Sequence, residues 1–201
     1  MIYNRILNLS NLLAKKSFFL FGPRSIGKTF LIRQNFDKKQ LIINLLESEL
    51  YLRLSTNPGE LEFIIKAHDS FERVVIDEVQ RIPELLNEVH RLIEQDHINF
   101  LLTGSSARKL KSNQANLLAG RARQAELFPL CFPEIPNFNL QQYLLYGGLP
   151  MVYQSDAPIE DLHAYVNLYL KEEIQAEALV RALPAFTRFL KFSALTRDRK
   201  S

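Results

Sequence analysis

Four apolar runs in the chain are short and barely interrupted: SFFLFG at 17–22, LIINLLE at 41–47, RVVIDE at 73–78 and INFLLTG at 98–104. Runs of this length, bounded by turn residues, predict strands buried on both faces. QAELFPL at 124–130 predicts a fifth. Between the runs the apolar positions recur at helical spacing. GKTFLIRQNF reads as a helix, and residues 49–68 read as helical material interrupted at Asn57, Pro58 and Gly59. In PELLNEVHRLIEQ, Leu85, Leu86, Val89, Leu92 and Ile93 share one helical face, and Pro83 suits a first-turn position. Tyr3, Ile6, Leu7 and Leu13 predict an amphipathic helix leading into the first strand.

Strands that alternate with helices pair in parallel through right-handed crossovers, so the pattern predicts an α/β fold with a parallel sheet covered on both faces. That core is expected to occupy residues 1–135. Beyond it, Ile159, Leu162, Val166, Tyr169, Leu170 and Ile174 keep a helical period, and Phe186, Phe189 and Leu190 begin another face after Pro184. Residues 136–201 are therefore expected to form a small helical subdomain. No internal repeat or low-complexity tract is present.

The first strand runs into candidate chemistry. Gly22, the four positions Pro23, Arg24, Ser25 and Ile26, then Gly27, Lys28 and Thr29 satisfy G-x-x-x-x-G-K-[ST], with Phe30 in the helix that follows. A strand before and a helix after are the context in which this motif binds phosphate (a P-loop, or Walker A motif). The loop must turn successive backbone N–H groups inward, which needs glycine where a side chain would block approach or where φ is positive. The helix N-terminus adds its dipole, Lys28 a full charge for the β- and γ-phosphates, and Thr29 a hydroxyl suited to Mg²⁺.

The third strand ends in Asp77 and Glu78, 49 residues beyond Lys28 in the case of Asp77. Carboxylates at that end of a strand lie where α/β sheets bind ligands. Asp77 would complete the Mg²⁺ shell and Glu78 would polarise an attacking water. The fourth strand carries Thr103, with Ser105 and Ser106 just past it. Thr103 is the favoured residue for bonding the γ-phosphate or the water, and ordinary capping of the next turn explains it equally well. Arg121, and less so Arg123, stand ahead of the fifth strand. Arg121 could neutralise transition-state charge in its own nucleotide or a neighbouring subunit's, the other reading being a solvated loop arginine. In YGGLP, Gly147 and Gly148 permit close backbone approach and Pro150 offers a flat ring to adenine, although a plain interdomain turn would look the same. No N-K-x-D stretch is present to read guanine.

Composition narrows the setting. The 201 residues carry 25 Lys and Arg against 22 Asp and Glu, a formal +3. This mild basicity permits a nucleic-acid partner without demanding one. Arg108, Lys109 and Lys111 read as a solvated surface. Cys131 is the only cysteine, so no intrachain disulfide forms, and no histidine pair has metal-ligand spacing. Asn4, Arg5, Asn8, Asn11, Lys15 and Lys16 break the N-terminal apolar stretch, unlike a signal peptide or a spanning helix. A cytoplasmic protein without a membrane partner is the expectation.

Taken together, FGPRSIGKT, VVIDEVQRIPELL, FLLTGSSARKL, LAGRARQAELFPLCFPE and YLLYGGLP resemble the AAA-type P-loop ATPases of bacteria and archaea. The resemblance covers nearly the whole chain. It implies strand order 5-1-4-3-2, with the strand carrying Thr103 between the two Walker strands, and a lid Gly-x-Pro, here Gly148 and Pro150, touching adenine. In that family the lid precedes a winged helix and a C-terminal domain of nuclease-like fold. Ser201 falls about where the winged helix begins, so those domains are expected to be absent. Ser25 and Ile26 replace the Gln-Val or Gln-Thr pair usual in the loop. The expected activity is ATP hydrolysis with Mg²⁺, coupling nucleotide state to lid movement and an unknown protein partner, with a homo-oligomer possible through Arg121. A non-hydrolysing nucleotide switch, acting as a protein- or DNA-interaction module, is the alternative reading. A small-molecule kinase is a weaker one.

Overall fold

The computed structural model describes residues 2–13, 16–36, 40–68, 71, 73–105, 110, 118–169, 174 and 183–196. Five strands, β1 (Ser17–Phe21), β2 (Gln40–Asn44), β3 (Arg73–Asp77), β4 (Phe100–Gly104) and β5 (Ala122–Glu126), form one parallel sheet in the order β2-β3-β4-β1-β5. Read from the other edge, this is the 5-1-4-3-2 order that the resemblance implies. The central strands β1 and β4 are buried at every position, whereas the edges alternate or open to solvent. A residue covered on both faces has no polar side, so central strands appear as continuous apolar runs.

The two-residue period of each strand divides the core. Phe19, Phe21, Val74, Ile76, Phe100 and Leu102 face one side. There they meet α3 (Ser48–Thr56), α4 (Glu60–Lys66) and α5 (Leu85–Asp96) through Leu54, Leu61, Ile65, Leu86 and Val89. Phe18, Leu20, Val75 and Leu101 face the other side, against α1 (Leu9–Leu13) and α2 (Lys28–Asn35). Ser17 is buried at the start of β1, and its hydroxyl accepts the Phe100 N–H at 2.9 Å. Beyond the sheet follow α6 (Leu140–Tyr146), α7 (Pro150–Tyr153), α8 (Pro158–Tyr169) and α9 (Leu183–Thr196). Leu149 and Val152 anchor this region to the second core face. Gly148 lies against Leu130, where an added Cβ would come within 2.2 Å of the Leu130 carbonyl oxygen.

Several sequence expectations are corrected. The N-terminal helix is confined to Leu9–Leu13, because the Asn8 side chain accepts the Asn11 N–H at 3.0 Å and starts the helix there. Residues 2–8 instead lie along the segment after β5, with Tyr3 buried and Ile6 exposed. β2 ends at Asn44, and Leu45–Glu47 turn into α3. The fifth strand begins at Ala122 rather than Gln124 and ends at Glu126. As an edge strand paired with β1 it tolerates the polar ARQAE, whereas the LFPL after it leaves the strand, burying Leu127 and Leu130 and exposing Phe128. Pro83 stands just ahead of α5, in a tight turn where Leu85 and Leu86 donate to Ile82 and Pro83. Leu170, Ser106, Arg108, Lys109 and Lys111 lie outside the described residues.

Candidate functional site

β1 ends at Phe21 and its chain turns at once into the glycine loop. Gly22 has φ +154°, and a Cβ there would meet Leu127 O and Ile26 Cδ1 at 2.4 Å each. Ser25, with φ 62°, is left-handed without being glycine, and Gly27 closes the loop at φ +91°. Strained backbone of this kind persists where surrounding structure enforces it, and it gathers at functional sites. α2 then begins at Lys28 with no acidic residue in its own first turn and no side-chain cap on its N–H groups. The buried Lys28 ammonium donates to the carbonyls of Gly22 at 2.7 Å and Pro23 at 3.0 Å.

Opposite the loop, the C-terminal end of β3 presents the carboxylates of Asp77 and Glu78, and the end of β4 presents the Thr103 hydroxyl. The Thr29 hydroxyl donates to Oδ2 of Asp77 at 2.9 Å, and the Thr103 hydroxyl donates to Oδ1. The same Thr103 oxygen accepts the Glu78 N–H at 3.1 Å. Thr103 is fully buried, so its hydroxyl is occupied under the two acidic residues instead of facing a phosphate or a water, as the sequence suggested. Glu78 has φ 62° and ψ 43° and opens a short 3₁₀ turn, Val79–Arg81. A cleft of about 280 Å³ lies between Glu78 and the loop, lined by Arg24, Lys28 and Thr29 among others.

A second cleft of about 300 Å³ adjoins the first, sharing Ser25, Gly27 and Phe30 with it. Pro150 and Ile26 line it, together with Tyr3, Arg5, Met151 and Gln154, which carry no motif in the sequence. Tyr3 and Arg5 arrive from residues remote in sequence and without motif spacing. Their only mark in the sequence is an aromatic and an arginine within the N-terminal apolar stretch. Arg5 is held by Glu134, Nε to Oε1 at 3.2 Å, with side chains 6% and 5% exposed. Glu134 also accepts the N–H groups of Ile6 and Cys131. Burial pushes the Arg5 guanidinium below its ordinary range, with Glu134 pulling the other way, and burial raises the Tyr3 phenol.

Arg121 is placed elsewhere. Ala122 pairs with Ser17 and Glu126 with Phe21, so Arg121 lies at the N-terminal edge of the sheet. The loop leaves the opposite edge, a strand length of roughly 15 Å away. Arg121 donates to Glu94 on α5 and holds that carboxylate below its ordinary range. A role in its own subunit's nucleotide site is therefore corrected: in a parallel sheet the residue before a strand is on the side away from the ligand. Arg123 lies within β5.

Among the described residues no group of three or more His, Cys, Asp or Glu side chains is placed to hold a metal, and no helix is long and apolar enough to cross a membrane. Thr29 and Asp77 nevertheless fit Mg²⁺, which takes one or two protein oxygens and draws the rest of its octahedron from phosphate and water.

The chain is 28% identical over 165 residues to an uncharacterized protein of Haemophilus influenzae, covering 70% of this chain and 41% of that one. It is 26% identical over 174 residues to an uncharacterized protein of Methanocaldococcus jannaschii, covering 75% and 39%. It thus spans about two fifths of the length of these curated relatives. Among solved structures, domain III of the Thermotoga maritima replication initiation protein DnaA aligns with a TM-score of 0.44 at 17% identity, covering 92% of this chain and 79% of that one. That likeness is too distant to assign a ligand or a partner. Residues 14–136, which hold the sheet, the glycine loop and both carboxylates, match the AAA domain family. The chain belongs to that family, and its loop and sheet are those of a nucleotide-binding AAA module.

Proposed function

We propose that the chain is an ATP- and Mg²⁺-dependent ATPase module in which hydrolysis moves the helices after β5 as a lid (residues 136–201) against the core (1–135), acting on a protein partner. The observation that carries this reading is the contact of the Thr29 hydroxyl with Asp77, one oxygen from the first turn of α2 and one from the end of β3, beside a helix N-terminus without a side-chain cap. Glycine-loop N–H groups and the Lys28 ammonium would grip the β- and γ-phosphates, the ammonium exchanging carbonyl partners for phosphate oxygens. Thr29 and Asp77 would hold Mg²⁺, which when bound neutralises charge on the phosphate oxygens. Glu78 would take a proton from the attacking water. Thr103 keeps Asp77 and Glu78 in register through its two hydrogen bonds.

The adenine base fits the second cleft, between Tyr3 on the core side and Pro150 and Met151 on α7. A ligand seated there touches both parts of the chain, which supports coupling between occupancy and lid position. Arg121, paired with Glu94 at a sheet edge remote from its own loop, would meet a nucleotide only if that nucleotide belonged to a neighbouring subunit.

Calorimetry with ATP and MgCl₂ tests the reading. Wild-type protein is expected to bind, Lys28→Ala to lose binding, and Glu78→Gln to bind while losing single-turnover hydrolysis. Absence of binding heat in the folded wild type would refute the proposal. Bound ATP that survives for hours in Mg²⁺ would replace hydrolysis with a nucleotide switch.

A further inference from the structure

We infer that Gln80 is the positioning residue for Glu78: its side-chain amide holds one carboxylate oxygen so that the other is directed at the water to be activated. This rests on the ATPase reading above. The Gln80 Nε2 donates to Oε2 of Glu78, two residues earlier, and among the described residues Oε1 of Glu78 has no hydrogen bond. A glutamate has three side-chain torsions and no fixed aim of its own. A general base must present a lone pair within hydrogen-bond reach of one proton, so pinning one oxygen removes most of the unproductive orientations.

Gln80 is itself fixed from several directions. It sits in the 3₁₀ turn Val79–Arg81, whose Val79 is fully buried. The Arg81 guanidinium lies over the Tyr51 ring at 4.4 Å and donates to the Leu45 carbonyl at 2.6 Å, clamping the far end of the turn. The amide passes over Gly104 at the end of β4, where a Cβ would meet Gln80 Oε1 at 2.6 Å. That Oε1 is buried and, among the described residues, has no hydrogen-bond partner. An amide placed for its own hydrogen bonding would not leave its acceptor empty, whereas one placed to bring its donor to a carboxylate would. Gly104 does not have a positive φ, so the missing side chain there serves the passage of Gln80 and not a backbone bend.

Three variants test this by single-turnover ATP hydrolysis and calorimetry. Gln80→Met keeps the volume and removes the donor. It is expected to slow hydrolysis by about tenfold or more, with ATP affinity within about twofold of wild type. Gly104→Ala, whose new methyl meets the flexible end of Gln80, should reproduce the loss without touching Glu78. In a Glu78→Ala background, Gln80→Met should have almost no further effect, because its action passes through the missing carboxylate. Hydrolysis by Gln80→Met within about twofold of wild type, or an undiminished penalty in the Glu78→Ala background, would overturn the inference while leaving the ATPase reading intact. A wild type that binds ATP and Mg²⁺ without hydrolysing it would overturn both.

Discussion

The Thr103 hydroxyl donates to Asp77 Oδ1 and accepts the backbone N–H of the next residue, Glu78, so one buried oxygen joins β4 to the acidic end of β3. Removing it takes this hydrogen bond from a buried carboxylate oxygen and from a half-buried N–H. Thr103→Val, which keeps the shape, is therefore expected to destabilise the fold by about 1–3 kcal/mol and to lower ATP turnover. Thr103→Ser should recover most of both. Thermal denaturation and a turnover assay check this. A Thr103→Val protein with unchanged midpoint and turnover would assign the hydroxyl no positioning role.

The loop glycines should fail for different reasons. At Gly22 a methyl would run into the Leu127 carbonyl, a backbone atom that cannot swing aside, in addition to the unfavourable φ. At Gly27 it would meet no protein atom within 4 Å. Gly27→Ala is expected to cost about 1–3 kcal/mol from backbone strain alone, and Gly22→Ala more. Urea denaturation gives the order, and a larger loss for Gly27→Ala would contradict the packing argument.

Arg5 and Glu134 form a buried ion pair that fastens residues 2–8 beside the second cleft. Glu134→Gln leaves the guanidinium in low dielectric without its counter-charge, at an expected cost of about 3–5 kcal/mol. ATP binding should weaken as well, because Tyr3 and Arg5 enter the cleft together. The paired replacement Arg5→Met with Glu134→Leu is expected to restore much of the stability but not the affinity. Denaturant titration and calorimetry separate the two effects.

Arg121 and Glu94 set a different test. The guanidinium lowers the Glu94 pKa, so the pair's stabilisation is complete above the unfolded carboxylate value, about 4.3, and disappears as pH falls through the lower folded value. Carboxylate chemical shifts followed by NMR should show Glu94 titrating below the ordinary glutamate range in wild type and within it in Arg121→Ala. Arg121→Ala should leave ATP affinity of the dilute protein unchanged. If Arg121 serves a neighbour, wild-type turnover per subunit rises with protein concentration and the variant's does not. A flat wild-type response would remove the oligomeric role.

Much of this was visible before any coordinates. Glycines at 22 and 27 with Lys28 and Thr29 marked a strand-loop-helix junction, and continuous apolar runs marked β1, β3 and β4 because strands covered on both faces have no polar side to show. The α5 face was equally legible: Leu85, Leu86, Val89 and Leu92 are all buried. β5 was misjudged because an edge strand is held by backbone hydrogen bonds to one neighbour and imposes little on its side chains. Arg121 was misplaced along with it.

Sequence alone determined which residues could carry the chemistry, since a phosphate loop and a strand-end carboxylate are local patterns written in consecutive positions. Tertiary structure alone decided which of them meet. Parallel register put Thr103 under Asp77 and carried Arg121 to the far edge, and chain reversal brought Tyr3 and Arg5 to Pro150. Such contacts join residues from 26 to more than a hundred positions apart, where no periodicity or spacing survives, and they exist only once the sheet has formed and its two faces are buried.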